Sequence, residues 1–461
     1  MKSLFACAIF LWATAALSAQ NWVGSWQGEL QIQGTKLRLV LNFEQAEGKW
    51  KGTMDSPDQN AYRIGLDSVS ITDKKVYAGL KAANAYFTGE YDAATETIKG
   101  EWVQGQRFAL DLKKSAEIEL PKRPQEPKRP FPYREENVTI SNKKSGFTLA
   151  GTLTLPKEGT KFPAVVLITG SGGQNRDEEI MGHRPFLLLA DYLTRRGFAV
   201  LRMDDRGVGE SKGKFEGATS ADFVTDIQAG VDFLQKDSRI DKKRVGLIGH
   251  SEGGMIAPIL AAKNKKIAFI VLLAAPGIAI SDLMQRQSKD IMLQSGETPE
   301  EVEKNIAIIS KLYAAIKADK KNKLTESELL FLVKDDVARL EPTDEEMKEM
   351  MANIRFVSQD PWFNYFLKFE PADYLTKVRC PVLALQGGKD IQVAAEDNLP
   401  AIQTHLEKGK NKNFTCLLLP ELNHLFQTCT TCTIPEYGTL EETFAPEALK
   451  AIGDWLEKNF K

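Results

Sequence analysis

Apolar and polar positions change rhythm along these 461 residues. From about Asn21 to Lys114 they alternate in short runs, such as Lys36-Leu37-Arg38-Leu39-Val40-Leu41-Asn42-Phe43 and Thr97-Ile98-Lys99-Gly100-Glu101-Trp102, divided by glycine, aspartate and asparagine turns. A period of two with such turns predicts a small all-β domain over residues 20–115, antiparallel and either a barrel or a sandwich. Pro121, Pro124, Pro127, Pro130 and Pro132 then alternate with lysine and arginine. That composition predicts an extended, semi-rigid linker over 116–133, whose basic residues solvate an exposed tether.

From residue 134 to 461 continuous apolar runs alternate with amphipathic ones. Strands are expected at Phe162 to Thr169, Phe198 to Met203, Arg244 to Ile248, Ile267 to Leu273, Pro381 to Leu385 and Phe414 to Leu419. Helices are expected at Arg184 to Arg196, Ser220 to Gln235 and Pro446 to Asn459. Strands apolar on both faces, separated by helices, predict an α/β domain with a mostly parallel sheet covered on both sides. The alternation stops between about Ile280 and Phe369, where the pattern is helical, clearest at Glu300 to Lys317 and Thr325 to Arg339. Helices inserted between two strands of such a sheet are expected to cap its active-site edge. Met350, Met351, Trp362, Phe363, Tyr365 and Phe366 either line a pocket under that cap or form the cap's own core.

Chemistry enters at Gly249-His250-Ser251-Glu252-Gly253-Gly254, between the strand ending at Ile248 and the helix-like run from Met255. A strand that reverses directly into a helix strains the residue at its tip and needs small neighbours, so this is a nucleophile elbow with Ser251 at its apex. A serine at its ordinary pKa needs a base, itself oriented by a carboxylate. Of four histidines, His250 adjoins Ser251 and should point away from its hydroxyl, His183 begins a helix, and His405 lies in a charged helical stretch. His424 follows the last buried strand and is the expected base. Asp390, after the strand ending at Leu385, is the expected acid, since serine, acid and histidine follow in that chain order. The oxyanion donors are expected from the N–H of Glu252 and from the loop Thr169-Gly170-Ser171-Gly172-Gly173, at Ser171 and Gly172. Arg176, Asp177, Asp204, Asp205 and Arg206 read as a charged network bracing these loops, with either arginine available for a substrate carboxylate.

The domain from 133 to 461 resembles the α/β-hydrolase superfamily, and within it bacterial exported serine carboxylesterases with a helical cap and an N-terminal β domain. The resemblance rests on Gly170-Ser171-Gly172-Gly173, Asp204-Asp205-Arg206-Gly207-Val208-Gly209-Glu210-Ser211, His250-Ser251-Glu252, Pro361-Trp362-Phe363, Gly387-Gly388-Lys389-Asp390 and Asn423-His424-Leu425-Phe426-Gln427. It implies ester hydrolysis through an acyl-enzyme, with no metal or organic cofactor. Related serine aminopeptidases keep a peptidase reading open, for which Glu341, Asp344 and Glu345 are available to hold an amino terminus. A glycan deacylase and a catalytically inert ligand-binding protein are the other readings. The β domain, with Val23-Gly24-Ser25-Trp26-Gln27-Gly28 and further Gly-x-Trp or Gly-x-Tyr pieces, resembles lipocalin-like barrels.

Composition narrows the partners. Sixty basic against 62 acidic residues, a net charge of −2, give no electrostatic case for nucleic acid or an anionic membrane, so the substrate is expected to be small or neutral; the resemblance implies a small-molecule ester or acylated compound. Lys2, the apolar run from Leu4 to Leu17 and Leu17-Ser18-Ala19 read as a signal peptide over 1–19, so the protein is expected to be exported, to a periplasm or beyond. That run is shorter than the roughly 20 residues of a membrane span. In such a compartment Cys429-Thr430-Thr431-Cys432 is placed to form a local disulfide, while Cys380 and Cys416 read as buried small hydrophobes.

Overall fold

The computed structural model describes residues 22–32, 35–46, 48–57, 61–116 and 122–461. The expected signal peptide, 1–19, lies outside the described residues. The chain divides into two compact units, 1–120 and 121–461.

The first unit is one antiparallel sheet, a half-barrel, which sets aside the sandwich. Its strands are β1 (Gly24–Ile32), β2 (Thr35–Ala46), β3 (Lys49–Ser56), β4 (Ala61–Gly65), β5 (Ser68–Ile71), β6 (Lys75–Leu80), β7 (Ala85–Asp92), β8 (Thr97–Gln104), β9 (Gln106–Ala109) and β10 (Leu112–Ser115). They lie in the order β4-β3-β2-β1-β10-β8-β7-β6-β5, with β9 paired to β8. The period of two directs Trp26, Leu39, Leu41, Phe43, Phe87, Ile98 and Trp102 to a common core. Gly89 and Gly100 face each other across β7 and β8, and a Cβ on either would come within 3.0 Å of the Phe87 ring.

The second unit holds an eight-stranded sheet in the order β11-β12-β14-β13-β15-β16-β17-β18. Its strands are β11 (Arg134–Asn142), β12 (Phe147–Leu155), β13 (Phe162–Ile168), β14 (Ala199–Met203), β15 (Ile240–His250), β16 (Ile270–Leu273), β17 (Val382–Gly387) and β18 (Phe414–Leu419). The pairings from β14 through β18 are parallel; β11 with β12 and β12 with β14 are antiparallel. Along β13, Ala164, Val166 and Ile168 enter one core while Val165 and Leu167 enter the other. Both faces are therefore apolar, which is why this strand reads as an unbroken run. One core is covered by α2 (Ser220–Leu234) and α3 (Glu252–Lys263), the other by α1 (Pro185–Arg195) and, at the chain end, a helix over Pro446–Phe460.

Two expectations need correction. The antiparallel pair β11 and β12 opens the sheet where no strand was expected, because its polar alternation is interrupted by Lys143-Lys144-Ser145-Gly146. The segment from 122 to 133 belongs to the second unit and is not a solvated tether. Arg123 donates to the carbonyls of Met181, Gly182, Gly438 and Leu440, Gln125 bonds the backbone at Thr443 and Phe444, and Glu126 pairs with Arg184 at 2.6 Å.

The insertion consists of α4 (Ile280–Gln294), α5 (Pro299–Ala318), α6 (Glu326–Ala338), α7 (Asp344–Gln359) and α8 (Pro361–Leu367), followed by the short α9 (Ala372–Leu375) and later by α10 (Ala395–Lys408) and α11 (Pro446–Phe460). Three of these helices start at capping boxes, Thr298 with Glu301, Thr325 with Glu328 and Thr343 with Glu346, which satisfy their first free N–H groups. The insertion has its own core of Ile308, Leu312, Leu329, Val333, Ile354 and Phe363, against which Met350 and Trp362 pack. Phe366 and Tyr365 face the core of the main sheet instead. Among the described residues no helix is long and apolar enough to cross a membrane.

Candidate active site

β15 ends in a turn so tight that Ser251 takes φ 53° and ψ −115°, a conformation that costs a residue with a Cβ about 1 kcal/mol or more. The turn exists because side chains are missing around it. A Cβ on Gly249 would lie 2.1 Å from the Gly253 carbonyl oxygen, one on Gly253 2.2 Å from that of Ile168, and one on Gly254 2.4 Å from Ala275 Cβ. Strand, helix and neighbouring strand thus meet at backbone contact. Ser251 caps α3, where unpaired N–H groups and the helix dipole favour negative charge.

Asp390 and His424 meet each other, and the His424 ring stands 4.9 Å from that of His250, the residue before the serine. Asp390, 5% exposed, accepts the N–H groups of Gln392 at 2.8 Å and Val393 at 2.9 Å on Oδ1, and meets His424 Nδ1 at 2.8 Å with Oδ2. The loop after β18 holds His424 in place. Asn423 Oδ1 accepts the N–H groups of Leu425 and Gln427 at 3.0 and 2.9 Å, while its amide donates to Gln427 Oε1 at 3.0 Å.

Both ring nitrogens of His250 are engaged by groups other than Ser251. Its Nδ1 lies 3.0 Å from Glu178 Oε1 and its Nε2 3.0 Å from the carbonyl oxygen of His424, with the two imidazole centroids 4.9 Å apart. Burial would lower the His250 imidazole, yet the Glu178 carboxylate and the His424 carbonyl hold it above its usual value. The same Glu178 oxygen accepts the Gly170 N–H at 2.7 Å. A Cβ on Gly170 would stand 3.4 Å from Ser251 Cβ, so the loop after β13 reaches the serine, and Ser171 and Gly172 follow it on the exposed side. Asp205 braces that loop through Thr169 Oγ1 at 3.1 Å and the Gln174 N–H at 2.9 Å, and burial pushes its carboxyl up to about 7.

Glu252 has a second connection that the sequence did not suggest. Its buried side chain accepts Ser220 Oγ at 2.5 Å and the Trp362 indole N–H at 2.9 Å, tying the elbow to α2 and to the cap; burial raises its carboxyl. The two arginines offered for a substrate carboxylate are already engaged. Arg176 forks onto Asp204 at 2.6 and 2.9 Å and meets Glu210, and Arg206 bonds Asp226 at 2.7 Å between the rings of Phe147 and Phe223. Glu341 and Asp344 are exposed at the α6–α7 turn; the side chain of Glu345 lies outside the described residues. A cavity of about 740 Å³ opens between α4 and α10, bounded by Arg286, Leu293, Asp390, Leu399, Leu418 and Cys432; neither Ser251 nor His424 lines it.

Cys429 and Cys432 are joined in a disulfide. With Glu436 they form the one His/Cys/Asp/Glu trio of metal-ligand proximity among the described residues. The fit to a metal is poor: the sulfurs are bonded to each other, and Glu436 already accepts the N–H groups of Thr430, Thr431 and Cys432. Cys380 and Cys416 are free and half-buried, and burial pushes both thiols up, Cys416 to about 11.

His183 locks the loop that follows His424. Its Nε2 meets the Tyr437 carbonyl at 2.8 Å and its Nδ1 the Thr443 hydroxyl at 2.9 Å, an arrangement that suits the neutral ring, and burial pushes it down to about 4. The unfolded chain takes up this proton near pH 6.5 and the folded one only near 4. Stability is therefore full above the unfolded value and is lost as pH falls through that window, by roughly 3 kcal/mol. Thermal unfolding followed from pH 7.5 to 4 is expected to show this loss, and His183→Gln is expected to lower stability at neutral pH but to flatten the acid decline. A variant curve parallel to that of the wild type would refute the assignment.

Similarity to known proteins extends over most of the chain. The family model described as X-Pro dipeptidyl-peptidase (S15 family) matches residues 145–424. The chain is 28% identical over 403 residues to Esterase EstD of Thermotoga maritima, covering 87% of this chain and 84% of that protein, and 28% identical over 158 residues to the putative hydrolase YtaP of Bacillus subtilis, covering 30% and 53%. Among solved structures, the Pyrococcus furiosus esterase Pf2001 superposes with a TM-score of 0.44 at 19% identity, over 74% of this chain and 99% of that one. Est1E from Butyrivibrio proteoclasticus, solved with ferulic acid bound, gives 0.42 at 20% identity, over 70% and 98%.

Proposed function

Because the chain belongs to the X-Pro dipeptidyl-peptidase (S15) family and is a hydrolase, we propose that it is a serine carboxylic-ester hydrolase working through an acyl-enzyme, with Ser251 as nucleophile, His424 as base and Asp390 as its orienting acid. The contact of 2.8 Å between His424 Nδ1 and Asp390 Oδ2, with the His424 ring 4.9 Å from that of His250, the residue preceding the serine of a strand-to-helix turn, carries this reading. With Nδ1–H committed to Asp390, the other ring nitrogen has a lone pair. It takes the proton of Ser251 Oγ as that oxygen bonds to the ester carbonyl carbon. Charge moves onto the carbonyl oxygen, for which the N–H groups of Glu252 and of Ser171 or Gly172 are the donors. Collapse breaks the bond to the alcohol, which leaves with the proton from His424. Water then repeats the sequence on the acyl-enzyme, freeing the acid and Ser251.

Ester hydrolysis is preferred to peptide cleavage because the similarity to EstD spans most of the chain, whereas the family description rests on residues 145–424. The β domain serves in this reading as a lipocalin-like spacer or docking module. Export is supported by the N-terminal sequence and by the Cys429–Cys432 disulfide, which persists in oxidising compartments.

A panel of p-nitrophenyl esters of varied acyl length, Xaa-Pro anilides and acetylated sugars, run beside fluorophosphonate labelling, tests the proposal. Turnover of short acyl esters with the label on Ser251 is the expected result. Faster release of Xaa-Pro dipeptides would replace it with the peptidase reading, and release of acetate from sugars alone with the glycan deacylase. Neither turnover nor label would leave an inert ligand-binding protein.

A further inference from the structure

The His424 side chain and the oxyanion loop must be held at a fixed separation for the reaction to proceed. They arise from different strands, β18 and β13, and neither is adjacent in sequence to the other. We propose that Glu178 and His250 act as a buried positioning pair, which joins the oxyanion loop at Gly170 to the backbone of His424 and so sets the distance between the oxyanion donors and the base. This inference rests on the serine-hydrolase reading and adds to it two residues that touch neither substrate nor reacting atoms.

Three hydrogen bonds in series connect the loop to the base. Glu178 Oε1 receives Gly170 N–H at 2.7 Å and faces His250 Nδ1 at 3.0 Å; His250 Nε2 faces the carbonyl oxygen of His424 at 3.0 Å. A backbone carbonyl can only accept, and so can a carboxylate oxygen. With Glu178 ionised, both ring nitrogens of His250 donate, which makes it an imidazolium paired with a carboxylate, the state in which Glu178 and the His424 carbonyl raise the imidazole against its burial. The chain Gly170–Glu178–His250–His424 is thereby complete, with a donor facing an acceptor at each link.

Keeping this pair is costly for the fold, and that marks it as more than filling. Glu178 is 3% exposed and His250 6%, and Glu178 holds φ 51°, a left-handed conformation that favours glycine. Burying two charges and straining the backbone gains little stability over an apolar pair of the same shape. What the pair gives is specification of geometry. Three loops supply the groups acting on His250: Glu178 after β13, Asp390 after β17 and the His424 carbonyl after β18.

Glu178→Gln keeps an oxygen for the Gly170 N–H but removes the charge that holds His250 doubly protonated. The neutral ring then has one N–H for two acceptors, and one link breaks. A displacement of well under an ångström at the oxyanion donors is expected to lower kcat about 10- to 100-fold, with KM within about threefold of the wild type. His250→Gln should do the same, and the double variant should be no slower than the worse single, because one broken link already uncouples the loops. Wild-type protein provides a readout independent of variant folding: ¹⁵N-resolved spectra should report His250 protonated on both nitrogens at pH 7. Full activity in Glu178→Gln, multiplicative losses in the double variant, or a singly protonated His250 would each overturn the proposal. Loss of ester turnover in the wild type itself would instead overturn the serine-hydrolase reading, so the two failures are separate.

Discussion

Ser251→Ala is expected to lower kcat for short acyl esters by about a millionfold, leaving the slow rate that oxyanion donors and binding give without a nucleophile. Fluorophosphonate labelling should disappear with it. Folding should survive. Alanine keeps the Cβ that already tolerates φ 53°, the glycine contacts on either side are unchanged, and one oxygen is removed from a half-buried side chain, so stability should stay within about 0.5 kcal/mol. Initial rates and a thermal melt on the same preparation check both halves. Retained hydrolysis, or a label that moves to another residue, would remove Ser251 from the mechanism.

The elbow was legible because its constraint is local. Gly249, Gly253 and Gly254 are forced by backbone contacts within the turn or with the adjacent strand ends, so sequence spacing alone exposes them. Asp390 was legible for a related reason, since it follows β17, a run made apolar by burial on both faces of the sheet; His424 follows β18, which is an apolar run although it lies at the sheet edge with Leu418 exposed rather than buried as expected. Glu178 was not. It stands beside Glu179 in a polar stretch, and nothing in the sequence distinguishes the buried carboxylate from its exposed neighbour. The same holds for Glu252, whose partners Ser220 and Trp362 are 32 and 110 residues away. Arg123 was misread with the other basic residues of its segment because its partners are backbone carbonyls more than 50 residues distant, and such groups leave no signature in side-chain patterning. Composition identifies a proline-rich segment as extended, but docking depends on the surface it meets.

Asp390→Asn separates the charge of the acid from its shape, and the structure determines which way the new amide turns. Oδ1 of Asp390 accepts two backbone N–H groups, from Gln392 and Val393, both buried or nearly so. Turning NH₂ toward them would leave three donors facing one another, so the asparagine oxygen must stay there and its NH₂ must face His424 Nδ1. That nitrogen would then have to accept. The ring is driven into the tautomer with its proton on the other nitrogen, the one that should receive the Ser251 proton, and the base is lost with its geometry intact. A fall in kcat of about 10⁴ is expected, with KM and melting temperature close to wild type. Asp390→Ala should differ by also leaving the Gln392 and Val393 N–H groups without an acceptor, at a stability loss of about 1 to 3 kcal/mol for each group kept from water. The ¹⁵N shifts of the His424 imidazole distinguish the tautomers directly. If Asp390→Asn stays within tenfold of the wild type, or keeps His424 protonated at Nδ1, then Asp390 does not set the tautomer, and another acid must be sought among the groups around the ring.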